Sequence, residues 1–276
     1  MADFTTSDGL RLYYEIHGQG QPLLCLPGLT RNCRDFDFLL PHMADVQVIA
    51  LDLRGRGKSA FDPDYLNYNV LREGHDVVEL LDHLGLDKVT VLGTSRGGLV
   101  AMAVAAGHGD RLAGVILNDV GPEVGPAGIA RIMAYLGEKP AQTDYDGWAR
   151  AALEATAKEF PGVPLDVWRH QAEAQFIETG TGLDLRYDAH LRTAILEQAA
   201  AGTAPDMWLF FERLRAVPTG VIRGANSDIL SPDTLARMQE RHPGLIAAEV
   251  QDRGHPPFLD EAESLSIIRT ILETAR

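Results

Sequence analysis

Short apolar runs of strand length alternate with helix-like repeats along most of this 276-residue chain. The runs are rich in Val, Ile and Leu and end at Gly or Pro, which is typical of strands buried on both faces of a sheet. They are PLLCLP from Pro22, VQVIAL from Val46, KVTVLG from Lys88, LAGVIL from Leu112, PTGVIRG from Pro218 and LIAAEV from Leu245. Apolar residues at helical spacing occur at Val77, Leu80, Leu81 and Leu84, and in TLARMQERH and AESLSIIRTIL. This order predicts an α/β fold with a mostly parallel central sheet flanked by helices.

The alternation is interrupted between residues 121 and 216, where the sequence indicates several helices and no clear strand. We therefore predict an α/β core at residues 1–120 and 217–276, with an inserted helical cap at residues 121–216. This cap segment holds all three tryptophans, Trp148, Trp168 and Trp208. Its aromatic side chains can form the core of the cap, line a substrate pocket, or do both. Trp148 and Trp208 are the candidates for substrate contact.

The acidic composition limits the partners of this chain. It has 25 Lys and Arg residues against 39 Asp and Glu residues, a formal net charge of −14, which disfavours nucleic acids and anionic membranes. No apolar stretch approaches the roughly 20 residues of a membrane span, and the opening MADFTTSDGL lacks a signal-peptide pattern. Cys25 and Cys33 are not spaced for metal binding. We expect a cytoplasmic protein with no metal, no other cofactor and no nucleic-acid or membrane partner, and the sequence leaves a homodimer open.

One serine stands among glycines in the stretch VTVLGTSRGGLV, which begins at Val89. Gly93, Ser95 and Gly97 form a G-x-S-x-G pattern between a predicted strand and a predicted helix. A nucleophile on such a tight turn needs small neighbours because the chain folds back on itself. The start of the following helix also favours developing negative charge. The pattern predicts Ser95 as a catalytic nucleophile.

A serine nucleophile needs a base, and the base needs a group that orients it. Among nine histidines we select His255, because DRGHPPFL lies between the last apolar run and the last helix. Asp228 follows the strand GVIRG and is the preferred acid, although Asp119 also ends a strand in ILND. Asp233 suits the first turn of a helix instead. The predicted triad is thus Ser95, Asp228 and His255, in the order Ser, Asp, His.

With these motifs the chain resembles the α/β-hydrolase fold family, in a branch with a serine nucleophile and a cap. The resemblance rests on LPGLTRN, DLRGRGKS, GTSRGG, GANSD and RGHPPFLDE, and covers nearly the whole chain. It implies that the backbone amides of Leu29 and Arg96 form an oxyanion hole. The family often has His-Gly where this sequence has Pro27-Gly28, a change that leaves the Leu29 amide in place. GRGKS is not a nucleotide-binding loop, because Asp52 stands where that loop needs glycine.

The arginine side chains near the predicted oxyanion hole have two interpretations. Arg96 can pair with a nearby acid, which we favour because buried arginines are usually paired. It can also meet a substrate carboxylate, as can Arg31 or Arg34.

The predicted function is hydrolysis of carboxylic esters of small to medium, mostly uncharged substrates through an acyl-serine intermediate. The resemblance also allows a lactonase or a carbon–carbon bond hydrolase. Serine at position 95 argues against the dehalogenase and epoxide-hydrolase branches, which use aspartate there. A ligand-binding receptor with incidental hydrolysis is an alternative from a different class.

Overall fold

The structure, a computed structural model, describes residues 2–202 and 205–275. Ten strands lie within these residues: β1 (Ala2–Thr5), β2 (Arg11–His17), β3 (Gln21–Leu26), β4 (Val46–Leu51), β5 (Val89–Thr94), β6 (Leu112–Asn118), β7 (Phe176–Thr179), β8 (Gly182–Leu185), β9 (Thr219–Gly224) and β10 (Ile246–Val250). The same residues form nine α-helices: α1 (Val70–Leu84), α2 (Arg96–His108), α3 (Pro126–Tyr135), α4 (Tyr145–Ala155), α5 (Leu165–Gln175), α6 (Leu191–Ala200), α7 (Met207–Arg213), α8 (Pro232–Arg241) and α9 (Ala262–Thr274). No helix in this part of the chain is long and apolar enough to cross a membrane.

Eight of the strands form one central sheet, in the order β1-β2-β4-β3-β5-β6-β9-β10. The strands from β4 to β10 in this order are parallel, whereas β2 pairs antiparallel with both β1 and β4. All six apolar runs of the sequence are strands of the parallel part. The predicted α/β fold with a mostly parallel sheet is therefore confirmed. The sequence does not signal β1, because four residues are too few to show a clear period.

The inner strands are buried on both faces, which explains their continuous apolar sequences. In β6, Val115 and Leu117 belong to the core that α1 and α2 cover, whereas Ile116 belongs to the core that α9 covers. The carboxyl ends of the parallel strands meet at one edge of the sheet. The loops after β3, β5, β6 and β9 converge there, at the edge where open α/β sheets bind ligands.

The cap segment, residues 121–216, contains α3 to α7 and a separate antiparallel pair, β7 and β8. The sequence does not indicate this hairpin, because each of its strands has only four residues. Two apolar clusters distinct from the cores of the sheet lie here, one around Trp168 and one around Leu191. Helix α7 differs, because it packs on α2 and buries Phe211 in the core of the sheet. The end of the predicted cap segment thus lies against the core.

Candidate active site

Ser95 lies on the tight turn between β5 and α2. Its backbone angles are φ 51° and ψ −113°, which a residue with a side chain rarely adopts. A Cβ atom on Gly93 would lie 2.4 Å from the backbone of Gly97, and one on Gly97 would lie 2.0 Å from the carbonyl oxygen of Leu26. Both glycines are therefore required, because the turn presses the start of α2 against the ends of two strands.

The turn brings the hydroxyl of Ser95 to the imidazole of His255. His255 Nε2 lies 2.9 Å from Ser95 Oγ, and His255 Nδ1 lies 2.8 Å from Asp119 Oδ2. Asp119 is fully buried, and His255 is largely buried. The two ring nitrogens thus join a hydroxyl and a carboxylate in one hydrogen-bonded chain. Ser95 and His255 meet as the sequence predicts, but the acid beside them is different.

The prediction that Asp228 orients His255 is wrong in this structure, where Asp119 occupies that position. Asp119 follows β6, and its carboxylate also accepts hydrogen bonds from the Gly224 amide at 2.9 Å and the Ser227 hydroxyl at 2.6 Å. Asp228 instead forms an ion pair with Arg131 at 2.5 Å and is partly exposed. The reason is sheet order: β6 lies between β5 and β9, so its end is next to the strand that carries Ser95.

The two predicted oxyanion-hole residues follow neighbouring strands of the sheet, Leu29 after β3 and Arg96 directly after Ser95 at the end of β5. Leu29 is in the loop after β3 and lines the same cavity as Ser95. Arg96 is the first residue of α2, where backbone amides have no acceptor within the helix. The carbonyl of Leu29 accepts a hydrogen bond of 2.9 Å from Arg56 Nε, which ties this loop to the turn after β4. Donation from these amides to a substrate stays a prediction.

A cavity of about 530 Å³ is lined by Ser95 and His255 and is walled largely by the cap segment. The cap side chains on its wall include Ile132, Tyr135, Trp148, Phe160, Trp168 and Phe176. Trp208 lies outside this cavity: its indole N–H donates to Glu123 at 2.7 Å, and Arg237 and Arg241 lie over its ring. The structure therefore gives no support for a substrate contact of Trp208 in this cavity, whereas Trp148 lies on the cavity wall and its contact with a substrate stays a prediction.

Of the three arginines discussed above, Arg31 lies on the cavity wall and the other two pair with acids outside the cavity. Arg31 lines the cavity, donates a hydrogen bond to Gln171 and lies 3.5 Å from Asp35. Arg96 instead directs its guanidinium to Glu73 at 2.7 Å, so the interpretation of this side chain as paired with an acid is correct. Arg34 pairs with Asp37. Arg31 is thus the predicted arginine that lies on the wall of the cavity.

Comparison with known proteins agrees with this fold. A family model for the alpha/beta hydrolase fold matches residues 21–262. The chain belongs to the α/β-hydrolase fold family. This α/β hydrolase is 35% identical to the 3-hydroxybutyrate-oligomer hydrolase of Cupriavidus necator over 264 residues, 91% of this chain and 89% of that protein.

Solved structures show the same fold along the full chain. An α/β hydrolase from Novosphingobium aromaticivorans is 37% identical, with a TM-score of 0.88 and coverage of 99% of this chain and 97% of the other. An E-2-(acetamidomethylene)succinate hydrolase is 21% identical, with a TM-score of 0.82 and coverage of 99% of both chains. At that identity the second likeness concerns the fold alone.

Sequence patterns do not single out several side chains on the wall of this α/β hydrolase's cavity. Asp35 and Gln171 are among them, and Trp168 is considered in the sequence only as a cap aromatic. Trp168 and Gln171 are three residues apart on α5 and therefore share one face of that helix. If either residue is assigned to the cavity, this spacing predicts that the other lines it too.

Asp35 is a largely buried carboxyl group on the cavity wall, and few neighbouring groups compensate its charge. The Gly28 amide donates to it at 3.3 Å, and Arg31 lies 3.5 Å away. Burial raises the pKa of Asp35, and Arg31 and the Gly28 amide offset this only in part. The folded protein therefore binds this proton more tightly than the unfolded chain does. Ionised Asp35 destabilises the fold above its raised pKa, and this cost disappears as the pH falls below the ordinary Asp value of about 3.9.

We expect Asp35→Asn to raise Tm by a few degrees at about pH 7.5 and to change it little at about pH 3. Calorimetry across this range measures the difference. Asp37→Asn is a control of opposite sign: burial raises the pKa of Asp37, but His170 and Arg34 outweigh this and the net pKa is lowered. Its substitution should therefore lower Tm at about pH 7.5. A similar loss of Tm in both variants would contradict the assignment for Asp35.

Proposed function

We propose that this chain is a serine hydrolase that cleaves carboxylic esters of small to medium substrates through an acyl-serine intermediate. The observation that carries the proposal is the hydrogen-bonded chain from Ser95 Oγ through both nitrogens of His255 to Asp119 Oδ2. A hydroxyl, an imidazole and a buried carboxylate in this order are the components of a serine-hydrolase triad. The strained turn under Ser95 supports the same role, since such backbone angles persist mainly at functional sites.

In the acylation step, Ser95 Oγ attacks the carbonyl carbon of the ester while His255 Nε2 takes the hydroxyl proton. Asp119 accepts the hydrogen bond from His255 Nδ1–H, which holds the imidazole in the required tautomer and stabilises its cation. The carbonyl oxygen becomes negatively charged, and the amides of Leu29 and Arg96 donate hydrogen bonds to it. When the tetrahedral intermediate collapses, the bond to the alcohol oxygen breaks and the alcohol leaves with the proton from His255.

Deacylation repeats these steps with water in place of the serine hydroxyl. His255 Nε2 takes a proton from the water, and the resulting hydroxide oxygen bonds to the acyl carbon. The same two amides stabilise the second oxyanion. The bond between the acyl carbon and Ser95 Oγ then breaks, and the proton on His255 returns to the serine.

The proposed substrate class is short esters of hydroxyalkanoic acids. It is supported by the 35% identity with the 3-hydroxybutyrate-oligomer hydrolase across most of both chains. The cavity of about 530 Å³ lies within the usual range for a small-molecule site, and its aromatic wall suits short aliphatic units. The net charge of −14 disfavours anions at long range, but Arg31 lies on the cavity wall and, although it pairs with Asp35, can donate a hydrogen bond to the one free carboxylate of such an oligomer.

We expect the purified protein to hydrolyse the dimer and trimer of 3-hydroxybutyrate and p-nitrophenyl esters of short and medium acids faster than long-chain triglycerides. The measurement is kcat/KM along an acyl-length series, with products identified by mass spectrometry. Trp148→Ala should shift the preferred acyl length, because this side chain lines the cavity, whereas Trp208→Ala should leave the profile unchanged. A preference for emulsified long-chain lipids would contradict the proposed class, and an equal shift in both variants would contradict the assignment of Trp148.

A further inference from the structure

A cluster of three charged side chains, two of them fully buried, lies behind the proposed oxyanion hole. Glu73 of α1 is fully buried, and each of its carboxylate oxygens accepts a hydrogen bond from a different arginine. Arg56 Nη1 lies 2.7 Å from Oε1, and Arg96 Nε lies 2.7 Å from Oε2. One carboxylate therefore joins the turn after β4 to the first residue of α2.

The cluster reaches both of the amides assigned to the oxyanion. Arg56 is also fully buried, and its Nε donates to the carbonyl of Leu29 at 2.9 Å while Nη1 donates to the carbonyl of Arg54 at 2.6 Å. The guanidinium is thus held by three acceptors, one of which is part of the Leu29 backbone. On the other side, the Arg96 side chain extends from the residue whose own amide is the second donor.

We propose that Glu73 is a positioning residue that sets the relative placement of the Leu29 and Arg96 amides through Arg56 and Arg96. This inference rests on the proposed function, because the two amides matter only if an oxyanion forms between them. Displacement of a hydrogen-bond donor by a fraction of an ångström weakens its bond to the transition state, so the effect falls on the chemical step rather than on substrate binding.

The charges of the cluster support the same role. Burial raises the pKa of Glu73, but the guanidinium groups of Arg56 and Arg96 outweigh this and hold the net pKa below its usual range. The carboxylate is therefore ionised at neutral pH. An ionised carboxylate accepts stronger hydrogen bonds than a neutral amide does, so it holds the guanidinium groups of Arg56 and Arg96 more firmly in place.

Helix α1 contains a matched control for this cluster. Asp76, three residues after Glu73, is also fully buried and pairs with a fully buried arginine, since Arg54 Nε and Nη2 donate to it at 2.7 and 2.6 Å. The other side-chain partners of Arg54 are Asp8 and Asp62. The Asp76 pair therefore resembles the Glu73 cluster in burial and chemistry but does not touch the Leu29 backbone or Arg96.

The test compares Glu73→Gln with Asp76→Asn on a p-nitrophenyl ester. We expect Glu73→Gln to lower kcat about 10- to 100-fold, somewhat less than the loss of an entire oxyanion-hole donor, with KM changed by less than about threefold. Affinity for a trifluoromethyl ketone, which forms a tetrahedral adduct with the serine, should fall by the same factor as kcat/KM. Asp76→Asn also removes a buried carboxylate that pairs with an arginine, and it should leave kcat within about twofold of wild type.

Equal kcat and equal ketone affinity in wild type and Glu73→Gln would overturn the inference and leave Glu73 with a purely structural role. If Glu73→Gln does not fold, Arg96→Met provides the test, because it removes one arm of the cluster and keeps the amide. We expect it to lower kcat about tenfold with little change in KM, and an unchanged kcat would overturn the inference. A different result would show that the proposed function itself is wrong. In that case the wild-type protein neither hydrolyses the ester nor reacts with a fluorophosphonate, and the inference about Glu73 is overturned as well.

Discussion

Replacing Ser95 with alanine is expected to lower kcat for ester hydrolysis at least about a thousandfold. The Oγ atom is the group that bonds to the substrate in the proposed reaction, and it lies 2.9 Å from His255 Nε2, the atom that takes its proton. Residual turnover should come only from the oxyanion hole and from substrate binding. Steady-state rates on a p-nitrophenyl ester measure the loss directly.

The fold should survive this substitution, because alanine keeps the same Cβ atom on the strained turn and removes only the hydroxyl. Circular dichroism and Tm provide that control. Activity near the wild-type level would contradict the assignment of Ser95.

Intact mass spectrometry of the wild-type protein during turnover distinguishes an enzyme from a receptor. An enzyme releases many product equivalents per chain, whereas a receptor stays acylated after one.

The substitution Asp119→Asn is expected to lower kcat by about three to four orders of magnitude. An asparagine can still occupy the site, but its amide can present N–H₂ to His255 Nδ1 and so favour the wrong tautomer of the imidazole. It also removes the negative charge that stabilises the imidazolium ion. The effect should appear mainly in kcat, because Asp119 is fully buried behind His255.

Asp228→Asn is the matched control, since both residues follow strands of the central sheet and only one contacts His255. We expect kcat of Asp228→Asn to stay within a few-fold of wild type, because the substitution affects only the ion pair with Arg131. Ser227→Ala adds a further comparison, because it removes one hydrogen bond to Asp119 and keeps the carboxylate. A larger loss of kcat in Asp228→Asn than in Asp119→Asn would reverse the assignment.

The longer strands, the turn at Ser95 and the choice of His255 follow from local sequence. Continuous apolar runs identify the six parallel strands, because a strand covered by helices on both faces needs apolar residues at every position. Gly93 and Gly97 mark the turn at Ser95, because any side chain at either position would collide with backbone atoms. His255 was found from its place in the loop after the last predicted strand, and the structure brings it to Ser95.

The sequence by itself thus determined the α/β fold and the choice of Ser95 and His255, because the strand runs, the glycine turn and the loop after the last strand are local patterns. Their contact, across 160 residues of chain, is made by the tertiary structure. Asp119 and Asp228 both follow strands, and only the order β5-β6-β9 decides that the end of β6 lies beside Ser95. The tryptophans show the same limit: Trp148 faces the cavity and Trp208 packs with Arg237 and Arg241. Which aspartate meets His255 and which tryptophan lines the cavity depend on which strands and helices pack together. These elements are far apart in the chain, so the local pattern of residues does not predict their contacts.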